Sequence, residues 1–292
     1  MPSLPNRDFS FFPIPNTPAN PPPLALSTSS IWTYCGPLLP LSDDDTTDDS
    51  NPDNLPPTFH AWSARTLSPP SSTSPLLPRL TPFLRAAHAF LRQHGMHHYW
   101  LSVRASQPTP EFDAPRWHTD DHFFDPARSD DARGRWKLCA TLQGPGTMFA
   151  VDARGARNPA HACPMVRCAA CGRTSEVVRE EVAVGLRGEA VVQPGNGEVA
   201  FFRVGGREGA VHSEPRIDGD RVFVNLVPGT EAELRHLMAR WGMEFPRSWS
   251  FGVPMTLDAG GHGGEGDRGV GENGKRGSVA GSRAEGAVSA VV

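Results

Sequence analysis

Trp117-His118-Thr119-Asp120 sets an imidazole and a carboxylate two positions apart. At an extended strand end both would project to the same side. Such a pair can begin a metal site or be ordinary surface polar structure. Asp121 and His122 in the same HTDDH cluster are alternative ligands, and His118 and His122 would share a face if the segment were helical. The stretch PRWHTDDHFFDP begins and ends with proline and is not amphipathic, which favours an extended reading. His212 follows a turn, an apolar strand and a glycine-rich connection in GNGEVAFFRVGGREGAVHSEP. By itself it reads as a strand histidine. Arg221, nine residues on, opens RVFVNLV and by itself reads as a surface arginine paired with Asp218 or Asp220. A second cluster holds His161, Cys163, Cys168 and Cys171. Cys168 and Cys171 have the C-x-x-C separation of a zinc hairpin, with Gly172 suited to a knuckle turn. Strong zinc motifs have two such pairs, so an insertion loop with free thiols stands beside the structural-zinc reading.

These residues need elements to hold them. RLTPFLRAAHAFLRQHG carries Leu80, Phe83, Leu84, Ala87 and Leu91 at helical spacing, with Thr81-Pro82 as a start and Gly95 as a stop. This predicts a helix near 80–94. A second helix near 231–241 has a Thr230/Glu233 capping box, a stripe of Leu234, Leu237, Met238 and Trp241, and Gly242 as its end. Between them lie short runs bounded by turn residues: HYWLSVRA, KLCATLQG, TMFAV, EVVREEVAVGL, EAVVQ, EVAFFRV, GAVHSE and RVFVNLV. They read as an all-β series suited to a sandwich or jelly roll, with Val199, Phe201 and Val204 among the buried side chains. Trp117 and Trp136 are expected to pack rather than react. His97-His98 is expected to end a connection and begin a strand.

The 30 prolines and 29 glycines are spread unevenly and shorten the usable chain. Residues 1–76, with NTPANPPP, DDDTTDD and LSPPSSTSP, are expected to be a disordered arm, and 258–292 a disordered Gly-rich tail. That leaves 77–257 as one domain. A net charge of −4 without a basic stripe argues against nucleic acid and against an anionic membrane surface. The N-terminal residues lack a signal-peptide pattern and no long apolar run occurs, so an intracellular protein, cytoplasmic or nuclear, is expected. Five cysteines, three of them bunched at 163–171, do not form a disulfide framework.

Taken in order, the His-x-Asp, the late His and the Arg nine residues beyond it resemble the Fe(II)/2-oxoglutarate-dependent dioxygenases of the double-stranded β-helix superfamily, over about residues 96–230. VVQPGNGEVAFFRVGG is similar to the turn and strand that precede the distal His there. The chain also resembles a family of uncharacterised proteins that share an aromatic-led His-x-Asp, a QGPGT-like turn (here Gln143 to Thr147) and a late His. The first resemblance implies a jelly roll with His118, Asp120 and His212 as iron ligands, three metal positions left open, and Arg221 binding the distal carboxylate of 2-oxoglutarate. It implies oxidative decarboxylation of that co-substrate to succinate with hydroxylation of a second substrate, small molecule or protein. Two features depart from the pattern: Phe223 stands where a Ser is usual two residues after the Arg, and Arg216 competes for the anchoring role. A binding module of the same architecture, and a cupin-like metal enzyme that uses no 2-oxoglutarate, are the alternatives.

Overall fold

Strand alternation sorts the inner side chains onto two faces, and the two faces build two different environments. The computed structural model describes residues 8–18, 21–41, 55–69, 74–124, 136–153, 175–205 and 209–253. In chain order these form β1 (Phe9–Pro13), β2 (Ala25–Leu26), β3 (Ser30–Pro37), α1 (Pro57–Thr66), β4 (Leu67–Ser68), α2 (Leu77–Gln93), β5 (His98–Ser106), β6 (Trp136–Gln143), β7 (Met148–Ala150), α3 (Ser175–Gly185), β8 (Val191–Val192), β9 (Glu198–Arg203), β10 (His212–Ser213), β11 (Arg221–Gly229), α4 (Glu231–Arg240) and β12 (Arg247–Phe251).

The large sheet is antiparallel, ordered β1-β9-β6-β11-β5-β3-β12, and a small sheet is ordered β10-β7-β8. A bridge between His118 and His212 adds a fourth, one-residue rung to the small sheet. From β5 to β11 the chain therefore passes between the sheets in jelly-roll order: large, the bridge, large, small, small, large, small, large. The protein is mainly β, with helices at its flanks.

On one face of the large sheet, Leu138, Ala140, Val222, Val224, Leu101 and Val103 join Leu80, Phe83, Leu84 and Leu91 of α2 in the main core. The other face looks towards the small sheet, where Cys139, Ala200 and Phe202 pack with Phe149. Trp117 and Trp136 are both buried, Trp136 stacked on Phe201. The Thr230/Glu233 capping box forms as expected. No described helix is long and apolar enough to cross a membrane.

Three expectations are corrected. The described part of residues 1–76, namely 8–18, 21–41, 55–69 and 74–76, is built into the domain and is not a disordered arm. Strand β3 pairs with β5 from Ser30↔Ala105 to Pro37↔His98, and β1 pairs with β9 along its length. Trp32, Phe59 and Trp62 are among the most buried side chains of the protein. Trp62 Nε1 donates to Ser30 Oγ at 2.8 Å and Trp32 Nε1 to Thr58 Oγ1 at 3.1 Å. The Pro- and Asp-rich stretches dilute the average hydrophobicity, whereas the SIWTYCGP strand needs only an open sheet edge to bury its alternate residues. The predicted domain boundary at 77 moves accordingly, since all described residues lie in one compact unit, Met1–Val253, and the tail at 258–292 lies outside the described residues. Helix α2 starts at Leu77 rather than Thr81, with Pro78 in its first turn and Pro82 inside. Pro82's missing donor faces the carbonyl four residues back, at Pro78, one turn in from the helix start. EVVREEVAVGL is not a strand but lies largely in α3. Its valines suggested β structure, but Val182 and Leu186 are buried at i, i+4 while Val184 is exposed, the pattern of one helical face.

A fragment starting at residue 76 lacks β1 to β4 and bares the β5 edge. It is expected to show no cooperative thermal transition where residues 1–253 show one, and Trp32→Ala in the full chain is expected to cost about 3–5 kcal/mol in urea unfolding. His88 gives a second test. Its Nε2 lies 3.2 Å from the Tyr99 hydroxyl, and burial, with Arg92 nearby, lowers its pKa to about 4. Between its ordinary value of 6.5 and about 4, the unfolded chain takes up a proton that the folded chain refuses. Stability is therefore expected to fall as pH drops through that window, by up to about 3 kcal/mol from this group. Urea midpoints at pH 7, 6 and 5 should show a shallower decline in His88→Leu than in wild type.

Candidate metal centre

The small sheet begins with a single rung: His118 N donates to His212 O and His212 N to His118 O, each at 2.9 Å. This reciprocal pair fixes the two backbones side by side and brings the imidazole centroids to 4.4 Å. Each Nδ1 has a backbone carbonyl beside it, Arg116 O at 2.7 Å for His118 and Ala210 O at 3.0 Å for His212. Carbonyls only accept, so both Nδ1 atoms carry a proton, and in the neutral ring Nε2 is the nitrogen with the lone pair. The two Nε2 atoms lie 3.9 and 3.8 Å from Asp120 Oδ1. His118, Asp120 and His212 bring one ligand atom each to within 4.8 Å of one another, the three sequence-predicted ligands together.

The electrostatics suit a cation. Burial, reinforced by His118, lowers the His212 pKa to about 4, which keeps the ring neutral near pH 7. Burial would raise the Asp120 pKa, but the Lys137 ammonium, then His212 and His118, outweigh it and hold the carboxyl well below the usual range. Lys137 Nζ donates to Asp120 Oδ2 at 3.0 Å. His212 and Asp120 are enclosed, while the His118 side chain is 37% exposed. The trio thus opens on the His118 side.

The alternative ligands do not join. Asp121 and His122 are exposed, and His122 packs against Gly205, where a Cβ would meet its ring at 2.6 Å. Arg216 is also exposed, with Nε 2.7 Å from Asp218 and 3.5 Å from Asp113, so it is occupied outside the site. The His161, Cys163, Cys168 and Cys171 cluster lies outside the described residues.

Arg221 is not the surface arginine its isolated reading suggested. It is 2% exposed, its Nε donates to Pro145 O at 2.9 Å, and its guanidinium lies 4.7 Å from the centre of the Phe223 ring. Nη2 reaches Thr141 Oγ1 at 3.4 Å. The desolvation of the charge lowers its pKa to about 10. Phe223, which stands where the pattern expects Ser, supplies a ring face under the cation rather than a hydroxyl. Arg221, Thr141, Cys139 and Lys137 alternate onto the sheet face opposite the main core, so Arg221 and the Lys137–Asp120 pair share one side of one sheet.

The QGPG turn explains where that guanidinium sits. Gly144 has φ +87° and an added Cβ would come within 3.2 Å of the Arg221 side chain, while Pro145 supplies the acceptor. Gln143 reaches the other way: its Oε1 accepts from Leu24 N at 2.6 Å and its Nε2 donates to Leu24 O at 2.7 Å.

Sequence reasoning missed Lys137, Thr141 and Glu214. A lone Lys among the inward positions of WKLCATLQ was the available signal for Lys137. Glu214, two residues after His212, is half-buried, and its enclosed Oε2 has no hydrogen-bond partner among the described residues. Nothing comparable in the sequence marked it.

No family model matches the chain, and no curated protein matches it. Among solved structures it is similar to a prolyl-4-hydroxylase from Pseudomonas putida, at 13% identity and TM-score 0.30 over 76% of this chain and 92% of that one. A viral collagen prolyl hydroxylase from Paramecium bursaria Chlorella virus-1 overlaps at 16% identity and TM-score 0.29 over 52% of this chain and 68% of that one. A dioxygenase for auxin oxidation from rice overlaps at 14% identity and TM-score 0.31 over 75% and 61%. Likeness at this level assigns this chain neither family nor activity.

Gly144→Ala is expected to destabilise the protein by about 1–2 kcal/mol, because the new methyl group meets both an unfavourable φ and the Arg221 stem. Urea unfolding of the variant against wild type measures it.

Proposed function

We propose that the chain is a non-haem Fe(II)/2-oxoglutarate-dependent oxygenase acting on an unidentified substrate. The observation that carries the reading is the convergence of His118 Nε2, His212 Nε2 and Asp120 Oδ1 on one point, both imidazoles already in the ligating tautomer. Two neutral nitrogens and one carboxylate are the donor set of a ferrous centre with open positions. When bound there, iron would supply the activation of dioxygen, with 2-oxoglutarate as the source of two electrons.

The chain's own contributions follow from its geometry. The carbonyls of Arg116 and Ala210 hold the rings in orientation. Arg221 offers a buried guanidinium whose described hydrogen bonds go to a carbonyl and a hydroxyl, leaving further N–H donors for a carboxylate. That residue separates this reading from a cupin-like metal enzyme without 2-oxoglutarate: an arginine desolvated on the inner face is costly unless an anion meets it. A metal-free binding module has no use for two histidines tautomerically fixed around a carboxylate.

Anaerobic Fe(II) binding with and without 2-oxoglutarate tests the proposal. A visible charge-transfer band is expected that requires both additions, disappears in His118→Ala and His212→Ala, and needs at least about tenfold more 2-oxoglutarate in Arg221→Ala. Iron binding in wild type no better than in the histidine variants would leave the trio a polar cluster. A band that ignores Arg221 would favour the cupin-like alternative.

A further inference from the structure

Lys137 is a charged side chain in direct contact with the proposed centre, and the proposed function leaves it without a role. It stands on β6, opposite Phe202 of β9, and is 6% exposed. Its ammonium lies 5.7 Å from the centres of both the Phe123 and Phe202 rings and 3.0 Å from Asp120 Oδ2. The aliphatic stem fills an apolar slot while the charged end meets the one carboxylate of the trio.

We infer that Lys137 is a positioning residue for the metal centre, which reserves Asp120 Oδ1 for the ion and cancels the only negative charge among the protein's donors, so that tight metal retention requires an anionic co-ligand. The inference rests on the reading of the trio as a metal site. Its geometry is direct. Asp120 has two oxygens: Oδ1 faces both Nε2 atoms, and Oδ2 is occupied by Lys137. An ion approaching from the histidine side meets one oxygen. Two neutral imidazoles, one carboxylate and one ammonium sum to no net charge, whereas the same ligands without Lys137 would carry −1. A divalent ion a few ångströms from a desolvated ammonium is repelled by it, and an anionic ligand arriving on the ion offsets that repulsion. Lys137 therefore couples metal to co-substrate. It weakens the ion's hold alone and strengthens the advantage of the pair.

The alternative is that Lys137 neutralises a buried aspartate merely to keep the fold. Manganese(II) binding followed by electron paramagnetic resonance separates the two, using wild type, Lys137→Met, Lys137→Gln and His212→Ala, each with and without 2-oxoglutarate. Met keeps the length and apolar stem between the two rings, and Gln keeps a hydrogen-bond donor without the charge. Both variants are expected to bind manganese alone about tenfold or more tightly than wild type, and to lose most of the enhancement that 2-oxoglutarate gives wild type. Their metal-free melting temperatures are expected to fall, and manganese to raise them by more than it raises wild type. Gln guards against a Met variant that does not fold. Specific manganese binding that is unchanged or weaker in both variants overturns the role of Lys137 and leaves the metal centre standing. Binding by wild type no tighter than by His212→Ala overturns both.

Discussion

One rung of antiparallel pairing governs the site. The reciprocal backbone hydrogen bonds between His118 and His212 join two segments almost a hundred residues apart. They set the spacing of the two imidazoles before any side-chain choice is made. Adjacent strands are held about 5 Å apart by that bonding, so side chains leaving the same face of paired residues must be neighbours. Asp120, two residues along from His118, returns its carboxylate to the same point, and its own carbonyl accepts from Gly205 N at 2.7 Å to pin the exit of the segment. The carbonyls of Arg116 and Ala210 then decide which ring nitrogen is free. Slip this rung by one residue and both imidazoles turn to opposite faces.

The remainder of the fold makes that rung affordable in a buried setting. The large sheet spends one face on an apolar core with α1 and α2, and it is that face which supplies most of the hydrophobic stabilisation, at about 1.5–3 kcal/mol for each large side chain enclosed. The other face can then carry Lys137, Thr141, Arg221 and Asn225. The buried charges on it are not equally met: Lys137 is paired with Asp120, whereas Arg221 has the Pro145 carbonyl and the ring of Phe223 and keeps N–H donors to spare. Neither cation could be held inside the sheets of so small a domain without the core on the opposite side to offset its desolvation.

The turn after β6 ties these layers together. Gln143 binds the backbone of Leu24 on one side, and the adjacent Gly144-Pro145 shapes the seat of Arg221 on the other. Arg79 of α2 adds to the same junction by donating to the carbonyl of Leu142. The N-terminal residues are thus mechanically connected to the inner face of the sheet, through one glutamine and the turn it precedes.

Local pattern was enough for much of this molecule. Period-two alternation marked β5, β6, β9 and β11; helical spacing and the Thr230/Glu233 box marked α2 and α4; and residue type marked His118, Asp120 and His212 as possible ligands. All of these depend on neighbours within a few positions, which a linear sequence displays. What it could not display was partnership. Ser30–Pro37 looked like part of a polar arm because its stabilising partner, β5, lies more than sixty residues away. The valines of α3 favoured a strand until burial at Val182 and Leu186 picked out one helical face. Lys137 drew no reading until folding set it against Asp120, and Arg221, marked only by the resemblance and by itself a surface arginine, is enclosed where Gly144 leaves room for its stem. Chemistry-bearing residue types and their local periodicity were determined by the sequence itself. Which of them converge, and with what charge beside them, was decided by non-local strand pairing, because electrostatic interaction depends on distance in space and not along the chain.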